Sequence, residues 1–209
     1  SEGVPCLPRP VSHSNDYIKP LLESAADGML IQMVNTPDEV TNLINDLKYP
    51  PIGKRSYGVS RAQGYGFDFK EYISKWNESS SFIIQVESIE AVNNIEELLA
   101  FDEIDAVIVS TPDHTHAPAS IMAMELNKHV YCQKPLTHHV SEARAMKKLA
   151  EEKNLVTQMG IQVHSFYDYK LATLLIKSGI IGKVDKVRAW CPKNWGYDGP
   201  EPSGNDTIP

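Results

Sequence analysis

Ile104-Asp-Ala-Val-Ile-Val109, running directly into Ser110-Thr-Pro-Asp-His-Thr-His116, is the stretch whose reading decides the fold. An apolar, β-branched run bounded by turn residues is the pattern of a strand buried in a parallel sheet. The polar segment behind it sits at the carboxyl end of that strand, where α/β folds place their chemistry.

Strand and helix patterns alternate on both sides of this pivot. Upstream, residues 88–99 predict a helix with a capping-box-like start, 82–87 a strand and 67–77 a helix. Residues 50–66 form a long Gly/Pro/Arg loop without periodicity, a length that is usually functional. Before it, 37–47 predicts a helix capped by Asn35-Thr-Pro-Asp38, with Pro at the first turn. Residues 28–34 predict a strand, 17–24 a helix behind Ser14-Asn-Asp16, and 4–9 a short strand. Downstream, the pattern predicts a helix over 117–126, a strand over 129–132, a turn at Lys134-Pro-Leu136 and a helix over 141–153. A strand over 155–159 and a helix over 166–178 follow. Residues 184–191 alternate like a half-exposed strand of a different, mixed or antiparallel sheet, and the tail from Pro192 reads as loop. The alternation gives an α/β fold with a parallel sheet.

At 209 residues the chain is long enough to bury a sizeable core. The net charge of −7, with Lys and Arg scattered, argues against nucleic acid or an anionic membrane as partner. No apolar run approaches the roughly 18 residues of a membrane span. Three widely spaced cysteines, Cys6, Cys132 and Cys191, read as reduced thiols of a cytoplasmic protein. The sequons Asn77-Glu-Ser79 and Asn205-Asp-Thr207 read as chance matches. The start at Ser1 and the stop at Ile208-Pro209 suggest a piece cut from a longer chain. His114, His116, His129 and Cys132 fit no standard zinc spacing. His138-His139 reads as a solvated pair, and Trp190 and Trp195 as packing residues.

Four segments carry a first resemblance: Val4-Pro-Cys-Leu-Pro-Arg9, Ala26-Asp-Gly-Met-Leu-Ile-Gln-Met-Val-Asn-Thr36, Tyr49-Pro-Pro-Ile-Gly-Lys-Arg55 and Ile84-Gln-Val-Glu-Ser-Ile-Glu-Ala-Val92. Through them, residues 3–109 resemble the HpcH/HpaI class of metal-dependent aldolases, (β/α)8 barrels acting on pyruvate enolates. The resemblance implies Mg2+ or Mn2+ at Glu87 and Asp113, where two carboxylates on neighbouring strand ends share a hard cation. It implies Gln85 as a substrate contact and Arg9 as the cation facing the enolate oxygen. The family's Gly-Pro before the metal Asp is Thr111-Pro112 here.

A second resemblance rests on Asp105-Ala-Val-Ile-Val-Ser-Thr-Pro-Asp-His-Thr-His116, Lys128-His-Val-Tyr-Cys-Gln-Lys-Pro-Leu136, Gln158-Met-Gly160 and Gly182-Lys-Val-Asp-Lys-Val187. Through these, residues 105–195 resemble the Gfo/Idh/MocA family of NAD(P)-dependent sugar oxidoreductases. The resemblance implies NAD or NADP as cofactor, with Thr111, Pro112, His116 and Pro135 lining the nicotinamide pocket. It implies Lys134 as the catalytic residue that polarises the reacting oxygen. Gln133 stands where that family usually writes Glu. A dinucleotide site needs a Gly-rich turn after its first strand; no G-x-G-x-x-G occurs, and Gly64-Tyr-Gly66 lies in a loop.

Together the resemblances imply a partial barrel segment (1–104), a partial Rossmann-like segment (105–165) and the start of a substrate domain (166–209). Three function classes follow: an oxidoreductase of sugars or polyols, a 2-oxo acid aldolase, and a folded chimera with neither activity. A small-molecule substrate, no nucleic acid and no membrane are expected, with room for a homo-oligomer.

Overall fold

The computed structural model describes residues 3–188 and residue 190. Its contacts divide the chain into two units, Ser1–Ile161 and Gln162–Pro209.

The first unit opens with α1 (Asn15–Glu23), where Ser14 Oγ accepts the Asp16 N–H. Next come β1 (Gly28–Ile31), α2 (Pro37–Leu47), α3 (Phe69–Ser79), β2 (Ser81–Val86) and the short α4 (Ile89–Asn93) and α5 (Ile95–Leu99). After them follow β3 (Ala106–Val109), α6 (His116–Glu125), β4 (His129–Gln133), α7 (Val140–Lys153) and β5 (Thr157–Gly160). Helix α2 shows why local sequence suffices for such elements. Thr36 and Glu39 cap its start reciprocally, and Val40, Leu43, Ile44 and Leu47 form one buried stripe at helical spacing.

All five strands are parallel and lie in chain order, β1-β2-β3-β4-β5. Val86 is in register with Val109, and Val109 with Cys132. Phe82, Ile84 and Val86, then Val107 and Val109, then Val130 and Cys132 are buried on the sheet face that shares its core with Leu43, Leu98 and Met124 of the helices. Ile83, Gln85, Ile108 and Tyr131 alternate with them and remain half-buried on the other face. Gly28 is required where β1 meets β2, since a Cβ there would lie 2.0 Å from the Ser81 carbonyl oxygen.

Several expectations are corrected. Residues 4–9 join no ladder: Pro5, Pro8 and Pro10 lack N–H donors, the Cys6 and Pro8 carbonyls accept from the Asp27 and Leu30 N–H groups, and the Cys6 N–H is taken by the Asp27 side chain. Strand β1 ends at Ile31 rather than Val34 because Met33 turns left-handed, at φ 52°. The single helix expected over 88–99 breaks at Asn94 (φ −98°, ψ 10°), whose Nδ2 donates to the Asn35 carbonyl. The loop 50–66 contains a 3-10 turn, Arg61–Gly66.

The second unit holds a 3-10 turn, Gln162–Ser165, and α8 (Tyr167–Lys177), with His164 stacked on Tyr169 at 5.1 Å between centroids. Residues 184–188 carry no strand, contrary to expectation. Trp190 is 80% exposed and so is not a packing residue. Cys191, Trp195, the second sequon and the tail from Pro192 lie outside the described residues. Among the described residues no helix is long and apolar enough to cross a membrane.

Candidate functional site

Parallel strands in chain order bring the segments following β2, β3 and β4 side by side at the carboxyl edge of the sheet. After β2, Gln85 Nε2 donates to Glu87 Oε2 and to Ser110 Oγ, both at 3.1 Å. Glu87 Oε1 accepts the Met33 N–H at 3.1 Å, which is the contact that turns the chain out of β1. Glu87 is thereby held half-buried between the ends of β1 and β3. Asp113 is exposed in the 3-10 turn Asp113–Thr115, its Oδ1 3.9 Å from His114 Nδ1. Arg9 is exposed on the irregular N-terminal segment.

After β3, Thr111 is buried and its hydroxyl has no partner among the described residues. Pro112 is exposed, and its carbonyl accepts both the Thr115 N–H (2.9 Å) and the Thr115 hydroxyl (2.8 Å), which closes the turn into α6. His116 is only 2% exposed. Its Nε2 lies 2.7 Å from the Thr111 carbonyl oxygen and its Nδ1 2.5 Å from that of Pro135. Both ring nitrogens thus lie against backbone carbonyls, and the ring ties the β3 loop to the β4 loop. Lys134 and Pro135, joined by a cis peptide bond, are exposed at the end of β4. Behind them, burial pushes the Cys132 thiol up, and its Sγ donates to the Leu136 carbonyl at 3.5 Å, so Cys132 stays a thiol and not a nucleophile.

The structure therefore gathers Gln85, Glu87, Thr111, His116 and Pro135 through hydrogen bonds along one edge, and leaves Arg9, Pro112, Asp113 and Lys134 exposed. Sequence reasoning missed Ser110 and the Met33 N–H as partners of the Gln85–Glu87 pair. Their only signal is the pairing of neighbouring strand ends, which a linear pattern does not display.

Residues 53–161 match the model of the Gfo/Idh/MocA family, described as an oxidoreductase family with an NAD-binding Rossmann fold. The chain belongs to this family. The first half carries the other likeness. A 2-keto-3-deoxy-L-rhamnonate aldolase from Escherichia coli O157:H7 is 36% identical over 107 residues, covering 50% of this chain and 40% of that protein. The chain thus spans about two fifths of the length of the curated relatives it matches. Among solved structures, an HpcH/HpaI aldolase from Desulfitobacterium hafniense DCB-2 superposes with a TM-score of 0.59 at 19% identity, over 83% of this chain and 73% of that one. An HpcH/HpaI aldolase/citrate lyase family protein from Burkholderia cenocepacia J2315 does so with a TM-score of 0.58 at 18% identity, over 81% and 72%. These two likenesses show the fold, a parallel α/β sheet of the kind found in an aldolase barrel.

As a Gfo/Idh/MocA chain it has a family cofactor to accommodate, and the helix N-termini at this edge decide how much of it fits. At α2, Glu39 Oε2 accepts the Asn35 (2.7 Å) and Thr36 (3.1 Å) N–H groups. At α7, Glu142 Oε2 accepts those of His138 (3.1 Å) and His139 (2.8 Å). A carboxylate already seated on these donors repels a pyrophosphate. Thus the α2 and α7 termini do not suit the phosphates. For a metal, Glu87 and Asp113 offer hard oxygen donors suited to Mg2+ or Mn2+. Among the described residues, however, no three His, Cys, Asp or Glu side chains converge.

Proposed function

We propose that the carboxyl edge of β3 and β4 is the nicotinamide-side half of an oxidoreductase site acting on a sugar or polyol. The observation that carries this reading is the His116 bridge. By fixing the Thr111 and Pro135 carbonyls to one ring, it holds the two loops at a set spacing and leaves Lys134 free at the rim. A bound NAD or NADP would supply the hydride chemistry. Of the chain's own residues, Thr111, Pro112 and Pro135 line the ring pocket. The Lys134 ammonium donates a hydrogen bond to the reacting hydroxyl or carbonyl oxygen and stabilises charge there. His116, placed by sequence among the cofactor contacts, acts as the positioning residue for the loops. In this reading 1–104 is the barrel-derived segment, 105–165 the Rossmann-like segment and 166–209 the start of the substrate domain.

A second reading is favoured by one observation, the Gln85–Glu87–Ser110 hydrogen-bonded set. A carboxylate held in this way supports the reading of a metal-dependent 2-oxo acid aldolase with its cation at Glu87. Glu87 and Asp113 would be the ligands, Gln85 the substrate contact and Arg9 the oxyanion partner.

Thermal unfolding with NAD+ or NADP+, and separately with Mg2+ plus pyruvate, tests both readings. A ligand at 100 times its Kd adds about 2.7 kcal/mol of stability. The first reading expects a shift with the dinucleotide that Lys134→Ala reduces only when substrate is also present. A shift with Mg2+ and pyruvate alone, lost in Glu87→Gln, replaces it with the second. No shift with either ligand set overturns both.

A further inference from the structure

The loop between α2 and α3 contains a cation that solvent does not reach. Arg55 is 4% exposed, and its Cζ stands over the rings of Tyr49 and Trp76 at 4.6 Å each and over Tyr72 at 5.8 Å. Tyr57 stacks in parallel on Tyr49, 5.0 Å between centroids, and Trp76 Nε1 donates to the Leu47 carbonyl at 2.8 Å. Among the described residues no carboxylate comes within the 4.0 Å of an ion pair with Arg55. Its Nη1 and Nη2 are both buried without a hydrogen-bond partner.

The same cluster contains two more orphans, Gln63 Nε2 and the Tyr72 hydroxyl. Gln63 is wholly buried, and its Oε1 is already taken by the Ser60 N–H (2.7 Å) and hydroxyl (3.0 Å). Burial pushes the Tyr72 phenol up, so it keeps its proton. Among the described residues the Arg55 fork and the Gln63 amide nitrogen can only donate, and the Tyr72 hydroxyl can donate as well as accept. Aromatic faces attract a guanidinium through their quadrupoles, but they do not satisfy its in-plane N–H fork. A fixed cation and several donors lacking an acceptor are the composition of an oxyanion site.

We propose that the Arg55 box binds a small oxyanion, a phosphate or a carboxylate, with the Arg55 fork holding two oxygens and Gln63 and Tyr72 donating to the rest. The site lies where α2 ends and β2 begins and shares no residue with the carboxyl edge of the sheet. The adjoining groove is lined by Asp27, Asp68 and Glu71 beside Tyr72 and Trp76. Lys75 lines it too and pairs with Glu71, so the groove keeps a net negative charge that favours monoanions over dianions.

The test is titration of the full chain with inorganic phosphate and, separately, acetate, each against chloride at equal ionic strength. Thermal unfolding and tryptophan fluorescence, compared with that of a Trp190→Phe, Trp195→Phe chain in which only Trp76 emits, are the readouts. A saturable response to phosphate or acetate is expected, and the stronger of the two identifies the ligand chemistry. Arg55→Met should abolish it. Should that variant not fold, Gln63→Met and Tyr72→Phe each remove one donor and should weaken binding about tenfold. A response no larger than that to chloride means a closed cation–π box and overturns the proposal. So does unchanged binding in Gln63→Met and Tyr72→Phe.

Discussion

Asp105 and Phe82 exchange two hydrogen bonds: Asp105 Oδ2 accepts the Phe82 N–H at 2.7 Å, and the Asp105 N–H donates to the Phe82 carbonyl at 2.9 Å. This pair starts the β2–β3 ladder, and it joins the segment that resembles an aldolase to the segment that resembles an oxidoreductase. The Asp of the Ile-Asp motif preceding the β3 run thus acts as a clasp between strands.

Replacing Asp105 by Ala leaves the Phe82 N–H without its acceptor at the head of a core strand. The expected loss is about 1–2 kcal/mol. Asp105→Asn, which retains an acceptor oxygen, should lose less than half of that. Urea unfolding followed by circular dichroism measures both, and equal losses in the two variants would show that the clasp does not act through the Phe82 N–H.

Thr111 buries a hydroxyl with no partner among the described residues. Thr111→Val keeps the shape and removes the orphan, so stability should stay level or rise by up to about 1 kcal/mol. If Thr111 lines the nicotinamide pocket, the same variant weakens dinucleotide binding. Calorimetric unfolding reads the first effect and a binding titration the second; a clear drop in stability would mean that the hydroxyl has a partner in solution.

Cys6 is exposed and Cys132 is buried, its thiol pushed up by that burial. Pulsed alkylation with iodoacetamide and peptide mapping should label Cys6 in the native protein and Cys132 only after unfolding. Comparable labelling of both in the native state would contradict the packing of β4.

Lys48 Nζ donates to the carbonyls of Asn77 (3.0 Å) and Ser80 (2.9 Å) and to the Ser80 hydroxyl (2.9 Å). Burial lowers its ammonium from the usual 10.5, with Asp105 and Glu103 opposing. The unfolded chain therefore binds this proton more tightly than the folded one. The burial cost is fully present below the folded value and is relieved as pH rises toward 10.5. Relative to Lys48→Met, the wild-type chain should gain stability across that interval. Parallel pH profiles of the two unfolding midpoints would refute the assignment.

The sequence displays those parts of the fold whose causes are local. Thr36-Pro-Asp-Glu39 caps α2 with its own side chains, so the expected bounds of that helix and the observed ones coincide. The early end of β1 was not legible, because Met33 is turned by Glu87, 54 positions along the chain. At the site, the Thr111-Pro112 and Lys134-Pro135 loops were legible as motifs. The commitment of both His116 nitrogens to backbone carbonyls was not, since Pro135 reaches the ring only through the β3–β4 pairing. The burial of Arg55 was not legible either: the rings around it are Tyr49 of its own loop and Tyr72 and Trp76 of α3, about 20 positions further on.

The chain-order arrangement of the five strands bears on how genes exchange parts. In such a sheet every strand is hydrogen-bonded to its immediate successor, so a crossover between two genes at any βα boundary leaves each neighbour relationship intact. No strand is left waiting for a partner encoded far away. What must survive at the seam is a single step of register and one buried face, and Val86 opposite Val109 meets both conditions. Selection on such a recombinant would first act on the loops at the carboxyl edge, since the ladders beneath them are already continuous across the seam.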